Sequence, residues 1–110
     1  MVHTFNGVDG SKGSQPSGGL ALDGDGNLYG ATDTGGNLTC NNGNGCGTIF
    51  KLSSNAGGGF TFGMILAFNG TSGASPFAGV IVDGAGNLYG TTFAGGNPKC
   101  NCGVVFTVTP

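Results

Sequence analysis

The sequence repeats itself, and this internal duplication constrains the fold more than any other feature. Residues 16–32 align with residues 76–92 without a gap, and the alignment continues to Cys40 and Cys100. After a short deletion, Cys46-Gly-Thr-Ile-Phe matches Cys102-Gly-Val-Val-Phe, and Phe5-Asn-Gly matches Phe68-Asn-Gly. In repeat proteins each repeat is one supersecondary unit that packs on its neighbours. We therefore divide the chain into repeat 1, about residues 2–54, and repeat 2, about residues 60–110.

Each repeat predicts antiparallel β-strands, because short β-branched and aromatic runs alternate with Gly- and Asn-rich turns. Repeat 1 predicts strands at residues 19–23, 27–32 and 47–53, followed by a fourth strand at 60–68. Repeat 2 predicts strands at 79–83, 87–93 and 103–109. The counterpart of the fourth strand stands at the start of the chain, in Val2, His3, Thr4 and Phe5. No segment shows a convincing helical period, so the predicted fold class is all-β.

A four-stranded unit that recurs about every sixty residues indicates a propeller-like blade. A single β-sandwich or barrel is the alternative. Two blades do not close a ring, so we expect strand exchange between chains. In that arrangement Val2, His3, Thr4 and Phe5 of one chain complete the last blade of another, beside Val104, Val105 and Phe106. Such a heterologous contact gives a closed ring, here of three or four chains, or an open filament.

The strings Gly-Asn-Leu-Tyr-Gly-Thr-Thr, Gly-Gly and Cys-Gly-(Thr/Val)-(Ile/Val)-Phe resemble the Gloeobacter/Verrucomicrobia (GloVer) tandem repeat family of exported bacterial proteins. The segment from Val2 to Phe5 is similar to the Leu-His-Xaa-Phe of that family. The resemblance implies an extracellular or cell-surface, β-propeller-like array without assigned catalytic residues. The chain departs from the family in having two repeats and no sorting signal. Because of the cysteines and the phase of the repeat, we expect a mature or excised piece of a longer protein, with a cytosolic protein as the alternative.

The four cysteines occupy equivalent places in the two repeats, which predicts the disulfides Cys40–Cys46 and Cys100–Cys102. Closing the first loop stabilises the fold by about 2–3 kcal/mol in the chain-entropy model. Pairing between repeats stays open, since four cysteines allow three connectivities. A zinc site is the other alternative, although C-x₅-C and C-x-C differ from the usual zinc knuckles. Oxidised cysteines also favour an extracellular location.

Composition argues against two classes of partner. Three Lys, no Arg and a net charge of −2 leave no basic face for nucleic acid. The sequence has neither a basic amphipathic stretch nor an apolar run of about 20 residues, so we expect no membrane partner.

Asp23, Asp25 and Asn27 form the best metal candidate, because alternate oxygen ligands resemble the start of a calcium loop. The sequence contains no Glu to complete such a loop, and Ala85 replaces Asp25 in repeat 2. The alternative is a hairpin turn in which Asp23 and Asp83 accept hydrogen bonds from turn amides. We expect no cofactor, with calcium as the alternative.

Catalysis is not expected. His3 is the only histidine, and no nucleophile elbow accompanies it. Phe77 and Phe93 replace Ser17 and Asp33 of repeat 1, so they are the candidate surface aromatics for ligand binding. The sequence thus predicts a non-catalytic extracellular structural module that associates with itself, and a multivalent glycan-binding protein is the alternative.

Overall fold

The computed structural model describes residues 3–5 and 13–110. They form two antiparallel sheets, sheet 1 from repeat 1 together with the strand that follows it and sheet 2 from the remainder of repeat 2. Sheet 1 contains, in spatial order, β1 (Ser14–Leu22), β2 (Leu28–Thr34), β3 (Thr48–Ser54) and β4 (Phe60–Ala67). Sheet 2 contains β5 (Val80–Val82), β6 (Leu88–Thr91) and β7 (Val105–Val108). The all-β prediction is confirmed, and a single 3-10 turn, Asn41–Gly43, is the helical element of the described residues.

The strand pairing around the glycine of the Tyr-Gly motif is the same in the two sheets. Gly30 of β2 lies opposite Phe50 of β3, and Gly90 of β6 lies opposite Phe106 of β7. A Cβ atom added at Gly30 would lie 2.6 Å from Cζ of Phe50, and one at Gly90 would lie 2.7 Å from Cζ of Phe106. The glycine of the Tyr-Gly motif is therefore required because the phenylalanine ring of the next strand crosses over it.

The structure differs from the predicted strands in three places. β1 begins at Ser14 instead of residue 19, and its register shifts between Ser17 and Ala21. Among the described residues sheet 2 has the three strands predicted for repeat 2 within one chain, but β6 ends at Thr91 instead of residue 93 and β7 spans Val105–Val108 instead of 103–109. Of the predicted first strand, Val2 lies outside the described residues, while residues 3–5 are described and form no strand.

The core lies between the two sheets. Side chains alternate across a strand, so each sheet has an inner face toward the other sheet and an outer face. The inner face of sheet 1 carries Ala21, Tyr29, Ala31 and Ile49. The inner face of sheet 2 carries Val80, Val82, Leu88, Phe106 and Val108. Phe68, just after β4, is fully buried in the same cluster, and its backbone N–H donates to the Gly47 carbonyl at 3.0 Å.

Candidate functional site: the two outer sheet faces

The outer face of sheet 2 is apolar and exposed. Cross-strand pairing places Ile81 beside Tyr89 and Thr91 beside Val105 on this face. The exposed fractions are 69% for Ile81, 39% for Tyr89 and 83% for Val105. Single exposed apolar side chains are ordinary, but a contiguous patch of them marks an interaction surface.

The same face of repeat 1 is buried. Ile81, Tyr89 and Val105 align with Ala21, Tyr29 and Ile49, which form the inner face of sheet 1. Tyr29 is 3% exposed and Ile49 is fully buried, because sheet 2 packs over them. The difference between the repeats therefore comes from the presence of a neighbouring sheet and not from the pattern of the strands.

The outer face of sheet 1 is the second exposed apolar surface. Leu20, Leu22 and Met64 are 58%, 66% and 45% exposed. Leu20 lies on the same side as Phe50, since both would meet a Cβ atom added at Gly30. The residues that align with Leu20 and Leu22 are Val80 and Val82, which belong to the inner face of sheet 2. Each outer face is thus the repeat counterpart of an inner face.

Residues 3–5 cover part of the outer face of sheet 1. The ring of Phe5 meets Phe50 with a centroid distance of 5.1 Å and an interplanar angle of 64°. His3 stacks on Phe62 of β4 at 4.2 Å and 5°. Within its own chain the ring of His3 thus packs on β4, and the expected contact of His3 with another subunit stays a prediction.

The candidate assembly strand of repeat 2 lies at the edge of sheet 2. Val105 and Phe106 are in β7, with Val105 on the outer face and Phe106 on the inner face. Val104 precedes the strand, and its backbone N–H donates to Thr92 Oγ1 at 2.9 Å. Within the described residues β7 pairs with β6 on one side.

Phe77 and Phe93, the predicted ligand-binding aromatics, are brought together by the fold. Their ring centroids are 6.4 Å apart with an interplanar angle of 51°. Phe93 is positioned by its backbone N–H, which donates to the Ser75 carbonyl at 2.9 Å. The two rings share an open cleft with Asp33 and Ser75. The cleft therefore combines aromatic faces with a carboxylate and a hydroxyl group.

The candidate calcium loop is organised by one carboxylate. Asp23 Oδ1 accepts from the backbone N–H groups of Asp25 and Asn27, both at 2.9 Å. Asp23 Oδ2 accepts from Asn27 Nδ2 at 3.1 Å and from the Tyr29 hydroxyl at 2.9 Å. These contacts are the ones expected for a hairpin turn, the alternative to a calcium site.

Repeat 2 builds the same turn although Ala85 replaces Asp25. Asp83 accepts from the backbone N–H groups of Ala85 and Asn87, both at 2.9 Å, and from the Tyr89 hydroxyl at 2.9 Å. The Asp25 side chain is therefore not needed for the turn. Across residues 3–5 and 13–110, no three His, Cys, Asp or Glu side chains cluster in a way that could hold a metal ion.

The hydrogen bonds of the two turns shift the pKa values of the aspartates and tyrosines that form them. Hydrogen bonds, first that from the Asn27 backbone, lower the pKa of Asp23 from 3.8 to about 2. The pKa of Asp83 is lowered in the same way, first by the Asn87 backbone. Burial, assisted by the hydrogen bond to Asp23, raises the pKa of Tyr29 to about 12. For Tyr89 the hydrogen bond to Asp83 is the main cause of a raised pKa.

The cysteines pair within each repeat. Cys40 bonds to Cys46 with a Cα–Cα distance of 5.7 Å, and Cys100 bonds to Cys102 with a Cα–Cα distance of 5.1 Å. Cys46 is buried in the core cluster and Cys40 packs against it, whereas Cys100 and Cys102 are exposed. The two bridges therefore have different packing environments.

Comparison with known protein families, curated proteins and solved structures finds no significant match. In the part of the chain that the structure describes, no helix is long and apolar enough to cross a membrane.

Apart from Val105, the exposed side chains of the two outer faces were not singled out from the sequence. A signal for them existed, because Leu20-Ala21-Leu22 and Val80-Ile81-Val82 are apolar at every position. A strand that is apolar on both sides is typical of a sheet covered on both faces.

Proposed function

We propose that this chain is a non-catalytic, extracellular structural module that associates with copies of itself. One observation carries the proposal: the face that is buried in repeat 1 is exposed in repeat 2. Burying an apolar side chain that is otherwise exposed stabilises an assembly by about 1.5–3 kcal/mol. Ile81, Tyr89 and Val105 together supply a substantial driving force of this kind.

The edge of sheet 2 supports the same proposal. β7 is the counterpart of β3, and β3 pairs with β4 on its second side. An edge strand with a free side is a template for another strand. We propose that residues 2–5 of a second chain fill this place, so that sheet 2 becomes a four-stranded, propeller-like blade. The paired cysteines are consistent with an oxidising, extracellular location.

The measurement that tests self-association is the native mass of the chain over a dilution series, by sedimentation and native mass spectrometry. We expect a ring of three or four chains, or a filament that grows with concentration. A species of 10.7 kDa at every concentration up to about 100 µM, well above a micromolar Kd, would contradict the proposal.

A second candidate function is the binding of glycans in the cleft of Phe77 and Phe93. It is favoured by the 6.4 Å approach of the two exposed rings beside Asp33 and Ser75. Aromatic faces pack on the apolar face of a sugar, while carboxylate and hydroxyl groups bind its hydroxyls. Repeated copies of the cleft in an assembly would add avidity.

A glycan array tests the second candidate. Specific binding that is lost in the variant Phe77→Ala/Phe93→Ala, and kept in Leu38→Ala, would support it. Leu38 is a suitable control because it is an exposed apolar residue outside the cleft. Binding that survives in the double variant would place the glycan elsewhere.

A further inference from the structure

We infer that the copies join head to tail: the outer face of sheet 2 in one copy packs on the outer face of sheet 1 in the next. This inference rests on the proposed self-association and adds which surfaces meet. The alternatives are pairings of like faces, sheet 2 on sheet 2 or sheet 1 on sheet 1, which would give symmetric dimers.

The internal interface shows which faces fit each other. Within one chain the inner face of sheet 1 packs on the inner face of sheet 2, in one continuous hydrophobic cluster. By the repeat alignment, the outer face of sheet 2 is equivalent to the first of these faces, since Tyr89 and Val105 align with Tyr29 and Ile49. The outer face of sheet 1 is equivalent to the second, since Leu20 and Leu22 align with Val80 and Val82. The two outer faces therefore match each other in the same way as the two inner faces, which pack together within one chain.

An aromatic contact of the internal interface is already formed on the outer face of sheet 1. In the internal interface Phe68 packs on Phe106 at 5.2 Å and 70°. On the outer face Phe5 packs on Phe50 at 5.1 Å and 64°. Phe5 aligns with Phe68, and Phe50 aligns with Phe106. The outer face of sheet 1 thus carries the same aromatic contact as the inner face of sheet 2, on which sheet 1 packs.

The contact between copies differs from the internal one in bulk. Ile81 stands where repeat 1 has Ala21, and Leu20 and Leu22 stand where repeat 2 has Val80 and Val82. These gains outweigh the smaller loss at Val105, which stands where repeat 1 has Ile49. The sheets of two copies therefore pack with the same faces and the same polarity at a wider spacing. Because each copy keeps one free face of each kind, addition continues until the rotation closes a ring.

Two single-face variants test the inference. Leu22→Asp places a charge on the outer face of sheet 1, and Ile81→Asp places one on the outer face of sheet 2. Both side chains are largely exposed, so the fold should persist, which circular dichroism checks. We expect each variant alone to associate at least about tenfold more weakly than the unmodified chain. The matched control Leu38→Asp, outside both faces, should assemble normally.

The decisive sample is the equimolar mixture of the two variants. Head-to-tail joining leaves one intact face on each, so the mixture should form dimers of twice 10.7 kDa and nothing larger. Dimers of either variant alone would overturn the inference in favour of like-face pairing. Full assembly of both variants would also overturn it, while leaving self-association through strand exchange intact. A monomeric unmodified chain would instead refute the proposed function itself.

Discussion

The ring of Phe68 lies against the ring of Phe106 with a centroid distance of 5.2 Å and an interplanar angle of 70°. This contact ties the segment after β4 to sheet 2 and so holds the two sheets together. Phe5 and Phe50 repeat the geometry on the opposite side of the molecule, where no further sheet is described. The two equivalent phenylalanine pairs thus form the same local contact, whether or not a second sheet covers it.

Truncating the two equivalent aromatics should have unequal effects. Phe68 is fully buried, so Phe68→Ala should lower the free energy of unfolding by about 3–5 kcal/mol. Phe5 is only partly buried, so Phe5→Ala should have a smaller effect on the isolated chain. Urea unfolding of dilute protein measures both values. Equal losses would mean that residues 3–5 are as firmly packed as the core.

The strand glycine beneath Phe50 should not tolerate a side chain. Gly30→Ala brings Cβ to 2.6 Å from the ring, and relieving that overlap should reduce stability by about 1–3 kcal/mol. Gly63 in β4 is the matched control, because a Cβ atom there would have no neighbour within 4 Å. Gly63→Ala should be neutral or slightly stabilising in the same urea measurement. A neutral Gly30→Ala would show that the ring moves aside without loss.

The turn carboxylates should make stability depend on acid pH. The folded pKa of Asp23 is about 2, below the value of about 3.9 in an unfolded chain, and that of Asp83 is also lowered. A lowered folded pKa contributes stability that is complete above about pH 4 and disappears as the pH falls toward 2. The melting temperature should therefore fall through this range.

The control for this prediction removes the same number of charges elsewhere. Asp23→Asn/Asp83→Asn should melt lower at pH 7 and lose most of its acid dependence. Asp25→Asn/Asp33→Asn should keep the acid dependence, because neither carboxylate organises a turn. Melting curves from pH 7 to pH 2 decide between them. Identical acid profiles in both double variants would assign the dependence to other groups.

The two disulfides should contribute differently to stability. Cys40→Ala/Cys46→Ala should reduce the free energy of unfolding by about 2–3 kcal/mol, because it opens the longer loop at the core. Cys100→Ala/Cys102→Ala opens a loop between exposed residues only two apart, so the loss should be smaller. Thermal unfolding of the two double variants measures the difference. A larger loss for the second pair would contradict the loop-entropy argument.

Local pattern was sufficient for most of the elements. The runs around Leu20, Ile49 and Val105 predict strands, and Asp23-Gly-Asp-Gly-Asn predicts a tight turn whose carboxylate accepts from turn amides, as the structure shows. These features depend on neighbours a few residues apart. The early start of β1 was missed, because Ser14 to Gly19 has little β character and is held in the sheet by pairing with β2.

What the sequence alone determined is the duplication, the all-β class, the turns and a preference for pairing the cysteines within each repeat. Each of these depends on residue type and on separations of a few residues. Which of two equivalent faces is buried was decided only by the tertiary structure. Tyr29 and Tyr89 occupy the same place in the same motif, yet one is covered by a second sheet and the other is open to solvent. Burial depends on what packs against a strand from a distance, and a strand's own residues do not encode which neighbour is present.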